Sequence, residues 1–469
     1  MLAPPARAAD AGDQERASNP GSILAWDNSG LPVHQVPDTI PADLETDATE
    51  ALQQFIDQVP DGAVIRFPEN AGYRIEGTLT LADRQGIVID GNGATFRSLD
   101  RIDDGPRLQV RNRAHWRVGR DSRLIVLRNL TVRGPHDEAG TDADAWDAAR
   151  EAQHAFDIDG ARDVLIEDVR ASHVFGDGVY IRSQGVVVRR SRFHHLGRQG
   201  VAIANARDVL VEQCDFRDIR RGVFNIEQYA AGWSSANVRI LNNTSGRSRL
   251  LWMPISGAGV AGGVLVAGNV MEAGTGIPVI TNQATDAGRR GPFVVVGNRF
   301  VVSGSPQPAF RLSGIDGVLF AGNHATLPEA RAMTALRALD CTAVVAFANR
   351  FEGAAEAVVI DNDHGFSGAD GEESEFEHRE LEGGHALRVT SGSGQLIALV
   401  RLEPRDSGDD PGADPDRPAT ASAPVLSAWE LKTEADYAVI VLDPAGNRIL
   451  HTAASGVGET RFRNQPVRP

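Results

Sequence analysis

The sequence predicts an all-β protein, a single-stranded right-handed parallel β-helix with an N-terminal capping helix and a small C-terminal β element. Three observations predict it. Residues 177–216, DGVYIRSQGVVVRRSRFHHLGRQGVAIANARDVLVEQCDF, state one pattern twice: Asp177-Gly178-Val179-Tyr180-Ile181 returns as Gln199-Gly200-Val201-Ala202-Ile203, and residues 186–193 return as 209–216. An apolar triplet followed by a fixed site recurs as VLIEDV, VVVRRS, VLVEQC, VRILNN, VLVAGN, VVVGNR and VLFAGN. The fixed site is Val169, Ser191, Cys214, Asn243, Asn269, Asn298, Asn323 and Asn349, at spacings of 22 to 29 residues, the range of a solenoid. Each triplet alternates with period two, as a strand does, and no helix separates one from the next. That excludes βαβ units and helical repeats.

Residues 1–35 read as a signal remnant and linker. MLAPPARAADAG carries Ala-Arg-Ala-Ala before Asp10 but no apolar core, so a secreted or periplasmic protein with a trimmed signal is expected. Residues 36–84 form the cap and entry strands. Ala48, Leu52, Phe55 and Ile56 fall on one helical face and Asp47 can cap that helix, which covers the open end of the core. Residues 85–365 are the β-helix. Stacked coils lie about 4.8 Å apart, so inward asparagines at one offset should form a ladder that satisfies turn backbone; Asn92 and Asn129 are placed in the same register. Residues 366–469 form the C-terminal element. Its acidic, proline-rich 403–424 segment is a linker or loop, and YAVIVLDPAGNRILHTA is a hairpin turning at Pro444-Ala445-Gly446-Asn447.

The entry segment TDATEALQQFIDQVPDGAVIRFPENAGYRIEGTLTLADRQGIVIDGNGATF, with its helix followed by G-x-V-x-F-P and Y-x-I strands, resembles that of pectate-lyase-like β-helix proteins. The resemblance spans about residues 45–360 and implies the fold. It leaves activity open, because this fold hosts hydrolases, lyases, epimerases and non-catalytic fibres.

The net charge of −16 argues against nucleic acid or an anionic membrane as the main partner, and no apolar run is long enough to span a bilayer. The chain has 46 arginines and one lysine, Lys432, so basic roles fall to Arg and His. Its two cysteines, Cys214 on an inward position and Cys341, make a disulfide framework improbable. Monomer and homo-oligomer are not distinguished.

The first strand of successive coils aligns as FDID, VYIR, VAIA and FNIE (156–159, 179–182, 201–204, 224–227). Inward positions are uniformly apolar. The outward ones vary as Asp157, Tyr180, Ala202, Asn225 and as Asp159, Arg182, Ala204, Glu227. Ala202 and Ala204 are expected to floor a sugar subsite walled by Tyr180 and Arg182 on one side and Asn225 and Glu227 on the other, with Trp252 beside Asn225 as a stacking platform. The turns before these strands bring His173 level with His195 and Asp177 level with Gln199, with Arg198, Arg220 and Arg221 alongside. A helical insertion at 143–156 delivers Glu151 and His154 to the same edge. Asp159 is expected to stack between Arg182 and Arg111.

The partner implied is a polysaccharide or oligosaccharide. Hydrolysis needs two carboxyl groups about 5–9.5 Å apart. Asn225 spoils a pair with Glu227 on one strand, which leaves inversion by Glu227 with a carboxylate from a neighbouring coil or from the insertion. Asp177 is the candidate, with Tyr180 and His195 completing the catalytic set and His154, Asp157, Arg182, Arg198, Gln199, Ala202, Arg221, Asn225 and Trp252 binding substrate. A lyase or epimerase would instead neutralise a uronate with Arg182, Arg198 or Arg221 and abstract a proton with Tyr180, His154 or His195. A third class is a non-catalytic, tailspike-like glycan-binding module. No cofactor is evident. Asp157, Asp159 and Asp177 are the candidate oxygen ligands for a Ca²⁺, without the fixed spacing of a metal motif.

Overall fold

The computed structural model describes residues 21–99, 113–141, 146–227, 233–253, 260–273, 279–282, 293–302, 308–327, 334–339, 341–347, 349–354 and 356–361, and the strands 376–381, 384–390, 396–403, 425–431, 437–442 and 448–454. Three parallel sheets wind around one core. The first holds Leu79–Ala82, Trp116–Gly119, Gln199–Ala204 and Gly222–Glu227, the second holds Gln85–Asp90, Arg123–Arg128, Arg207–Glu212 and Ser234–Leu241, and the long strands Phe156–Glu167 and Val179–Arg189 run through both. The third has 12 strands, from Asp43–Asp47 to Arg350–Glu352.

The repeat register is the one read from the sequence. Phe156, Val179, Val201 and Phe224 pair in one file and Ile158, Ile181, Ile203 and Ile226 in the next, and all eight are buried. Each such side chain contributes about 1.5–3 kcal/mol by leaving water, so this half of the repeat is constrained while the outward half is free to change. Gly178 and Gly200 recur because the corner leaves no room. A Cβ would meet the Gly200 carbonyl oxygen at 2.6 Å and the Val223 carbonyl oxygen at 2.5 Å, respectively.

The asparagine ladder is continuous. The Asn269 carboxamide donates to the Ile240 carbonyl at 2.9 Å and to Asn298 Oδ1 at 2.9 Å, and its own Oδ1 accepts the Asn243 backbone N–H at 2.9 Å; Asn298, Asn323 and Asn349 extend the pattern. Asn92 and Asn129 do not belong to it. They sit at φ 50° and 55°, and Asn129 aligns with the column of Asp168, Arg190, Gln213, Asn242 and Gly268, one residue before the ladder, where the chain is left-handed. Asparagine and glycine tolerate that conformation best, so an asparagine near this turn signals either role. The ladder position of that coil holds buried Leu130.

The cap helix is Thr49–Gln58, with Leu52 and Ile56 buried and Phe55 packed against the core. Asp47 accepts from the Thr49 backbone N–H at 3.0 Å and its hydroxyl at 2.6 Å. Residues 21–35 take part in the fold: Val33–Gln35 pairs with Ala63–Arg66, and Ile23 is buried in a second apolar cluster with the outward Val64, Val88, Val126, Leu165 and Val187. Tyr437–Leu442 and Arg448–Ala454 pair as an antiparallel hairpin, and Phe376–Leu381, Gly384–Thr390, Leu396–Glu403 and Val425–Leu431 form an antiparallel sheet. Cys214 and Cys341 are buried thiols and are not joined in a disulfide. No helix among the described residues is long and apolar enough to cross a membrane.

Candidate functional site

A cleft of about 610 Å³ runs over the outward face of the first sheet. The register Thr80, Arg117, Asp157, Tyr180, Ala202, Asn225 places successive coils side by side along it. Thr78, Thr80, Arg113 and Arg117 line one end, Asp157, Tyr180 and Arg182 the middle, and Arg198 and Glu227 the other end, with Glu151 and His154 closing one side.

Glu151 and His154 come from the insertion, as expected, but its described part is a series of turns and not a helix. Bonds run from Arg150 N to Asp147 O at 3.2 Å and from Gln153 N to Arg150 O at 3.0 Å, and the Asp147 carboxylate takes the Ala149 N–H at 2.9 Å. A side chain that captures a nearby backbone donor competes with helix formation.

Arg198 joins three carboxylates. Its Nη1 donates to Asp177 Oδ2 at 2.6 Å and its Nη2 to Glu227 Oε1 at 3.0 Å, and its Nε lies 3.5 Å from Glu151 Oε2. Glu227 Oε1 also accepts from Gln199 Nε2 at 2.9 Å and from Asn225 Nδ2. Glu227 Oε2 is buried with no hydrogen-bond partner among the described residues. One oxygen is therefore fixed by three donors while the other is uncommitted in a residue that lines the cleft. Arg198 reaches Glu227 from a corner of the neighbouring coil, off its own outward column.

Asp177 is fully buried beneath this arrangement and does not line the cleft. Burial pushes it up to about 7 against the pull of Arg198, with Glu227 adding to the rise. Its Oδ1 accepts the Gln199 backbone N–H at 3.0 Å. Asp177 thus anchors Arg198 and Gln199, and Glu151 is the carboxylate that faces the cleft beside Glu227.

His154 and Tyr180 stack with ring centroids 4.9 Å apart and planes 4° from parallel. The Asp177 backbone N–H donates to His154 Nδ1 at 3.0 Å, so that lone pair is used and the proton of the neutral ring sits on Nε2. Burial and the charges of Arg198 and Arg182 hold this histidine well below its ordinary pKa. Burial and Glu227 push the Tyr180 phenol up to about 12. Both groups are donors in this setting.

Asp159 is clamped by Arg117 at 2.8 Å and Arg182 at 2.6 Å. The preceding strand is Trp116–Gly119, so its arginine is Arg117; Arg111 lies outside the described residues. Asp157 Oδ2 is 3.5 Å from Arg117 Nε, Oδ1 is buried without a partner among the described residues, and burial raises this carboxyl to about 6. The three aspartates considered for Ca²⁺ do not converge, because guanidinium groups occupy them. Among the described residues no three His, Cys, Asp or Glu side chains are placed to hold a metal.

Several expected site residues lie elsewhere. Ala202, which pairs with Tyr180 and Asn225, and Ala204, which pairs with Glu227, are fully buried and do not form an open floor. Asn225 and Gln199 are buried too and act on Glu227. His195 is stacked on His173 at 5.3 Å and lies 3.3 Å from Asp218, in a strand of the third sheet, away from the cleft lining. Arg221 lies over Trp146, 4.7 Å from the ring centre. Trp252 pairs with Asn225 in register, and its side chain lies outside the described residues. Sequence reasoning missed Thr78, Thr80, Arg113 and Arg117; the outward alternation of LTLA and WRVG, extended upstream, is the signal that finds Thr80 and Arg117.

A family model described as "Right handed beta helix region" matches residues 121–305. The uncharacterized protein YclG of Bacillus subtilis is 24% identical over 239 residues, which are 44% of this chain and 40% of that one, so the chain matches about two fifths of that relative's length. Among solved structures, the surface adhesin PfbA of Streptococcus pneumoniae is similar with a TM-score of 0.47 at 14% identity, over 76% of this chain and 95% of that one. An exopolygalacturonase from Thermotoga maritima gives 0.45 at 13%, over 73% and 95%. With three parallel sheets wound around one core and a matching family region over its central coils, the chain is a right-handed parallel β-helix protein.

Proposed function

We propose that the protein is an exported carbohydrate-active enzyme that hydrolyses a glycosidic bond of an acidic glycan in this cleft, with inversion. The observation that carries the reading is Glu227: a buried carboxylate that lines the cleft, with one oxygen fixed by Arg198, Gln199 and Asn225 and the other without a hydrogen-bond partner among the described residues. The Glu227 carboxylate takes a proton from a water that attacks the anomeric carbon, while Glu151, entering the step in its acid form, gives its proton to the departing glycosidic oxygen and leaves as the carboxylate. The C–O bond breaks with its electron pair on that oxygen, so charge and protons balance. Both carboxylates contact one guanidinium, which keeps them inside the about 9.5 Å limit of an inverting pair. Arg113, Arg117 and Arg182 supply positive charge for the acid group of the sugar, and the Tyr180 hydroxyl and His154 Nε2–H donate to its hydroxyls.

Elimination is disfavoured because its bases are disarmed: the Tyr180 phenol holds its proton and the free His154 nitrogen carries one. The test is product analysis on acidic glycans. New reducing ends without absorbance near 235 nm are expected, and Glu227→Gln should lower turnover by about 10²–10⁴. An unsaturated product, or a Glu227→Gln protein within a few-fold of wild type, overturns the reading.

A further inference from the structure

We propose that Trp146, backed by Arg221, is a sugar-stacking platform that extends the cleft beyond the reacting bond; this rests on the hydrolase reading above. Trp146 is 40% exposed and is the only aromatic among the exposed large apolar side chains of the described residues. One contact of its indole is the Arg221 guanidinium, 4.7 Å from the ring centre.

The pair is linked through the backbone to the catalytic end of the cleft. The Arg221 backbone N–H donates to the Arg198 carbonyl at 2.8 Å, so Arg221 stands one coil beyond the arginine that holds Glu227. On the other side, Trp146 precedes Glu151 by one short run of turns. Arg150, within that run of turns, is held in place by Phe175, its guanidinium 3.5 Å above the ring. An exposed ring backed by a cation suits the apolar face of a pyranose from an acidic glycan. Chains long enough to reach it gain binding that short ones cannot.

The test compares wild type, Trp146→Ala, Trp146→Phe and Arg221→Ala on disaccharides and octasaccharides of galacturonate, alginate and chondroitin sulfate. Trp146→Ala should lower the ratio of kcat/KM for octasaccharide over disaccharide by about tenfold, Arg221→Ala by less, and Trp146→Phe should restore most of it. A ratio within about twofold of wild type in Trp146→Ala overturns the platform. A binding arm is independent of turnover: Glu227→Gln protein should be retained on immobilised octasaccharide and the Glu227→Gln/Trp146→Ala double variant should not. Equal retention of both, or of neither, overturns it. A Glu227→Gln protein that still cleaves sinks the hydrolase assignment alone and leaves the Trp146 comparison readable.

Discussion

Arg198 Nη1 lies 2.6 Å from Asp177 Oδ2, and both side chains are buried. The same guanidinium holds Glu227, so one cation compensates two buried carboxylates, and its removal should leave both uncompensated. Arg198→Met is expected to destabilise by about 3–5 kcal/mol, read as a lower Tm. Adding Asp177→Asn should return part of the loss, since one buried charge is then gone. If the double variant is no more stable than the single, Asp177 is not balanced by Arg198.

Ala202→Trp should destabilise the protein. The site is fully enclosed between Tyr180 and Asn225, so an indole there forces its neighbours apart, a change that typically costs about 1–3 kcal/mol. An unchanged urea midpoint would mean that the position opens to solvent.

Asn298→Ala removes an acceptor for the Asn269 backbone N–H and donors to the Val266 and Val296 carbonyls at 2.9 and 3.1 Å. Each buried group left without a partner costs about 1–3 kcal/mol. Asn349→Ala, at the last described rung, should cost less. Equal losses at the two positions would argue against a ladder in which inner rungs serve both neighbours.

Asp157 is expected to make stability fall as pH rises. Burial lifts its folded pKa to about 6, above the ordinary 3.8, with Asp159 adding to the rise and Arg117 and Arg182 opposing it. Between those values the folded state binds more protons than the unfolded one, so the contribution is full below about 4 and is lost as pH passes 6. Asp157→Asn should flatten the Tm profile across that window. A profile as steep as wild type would assign the slope to another group.

The solenoid, its register and its inner surface are legible in the amino-acid order alone. Period-two alternation and a fixed offset are short-range signals that repeat seven times or more, and each inward file, such as Ile158, Ile181, Ile203 and Ile226, is set by packing against the coil above and below. It also placed Tyr180, Arg182, Asn225 and Glu227 on the outward face, and Glu151 and His154 at its edge. Which of these side chains meet is set by the folding of one coil onto the next. Arg198 bridges partners 21 residues before it and 29 after it, a span set by the reach of a long side chain across coils of unequal length. Alternation could say that Ala202 points outward but not that it is fully buried there. It could not tell the ladder position from the left-handed position beside it, because asparagine suits both and only the backbone torsion separates them.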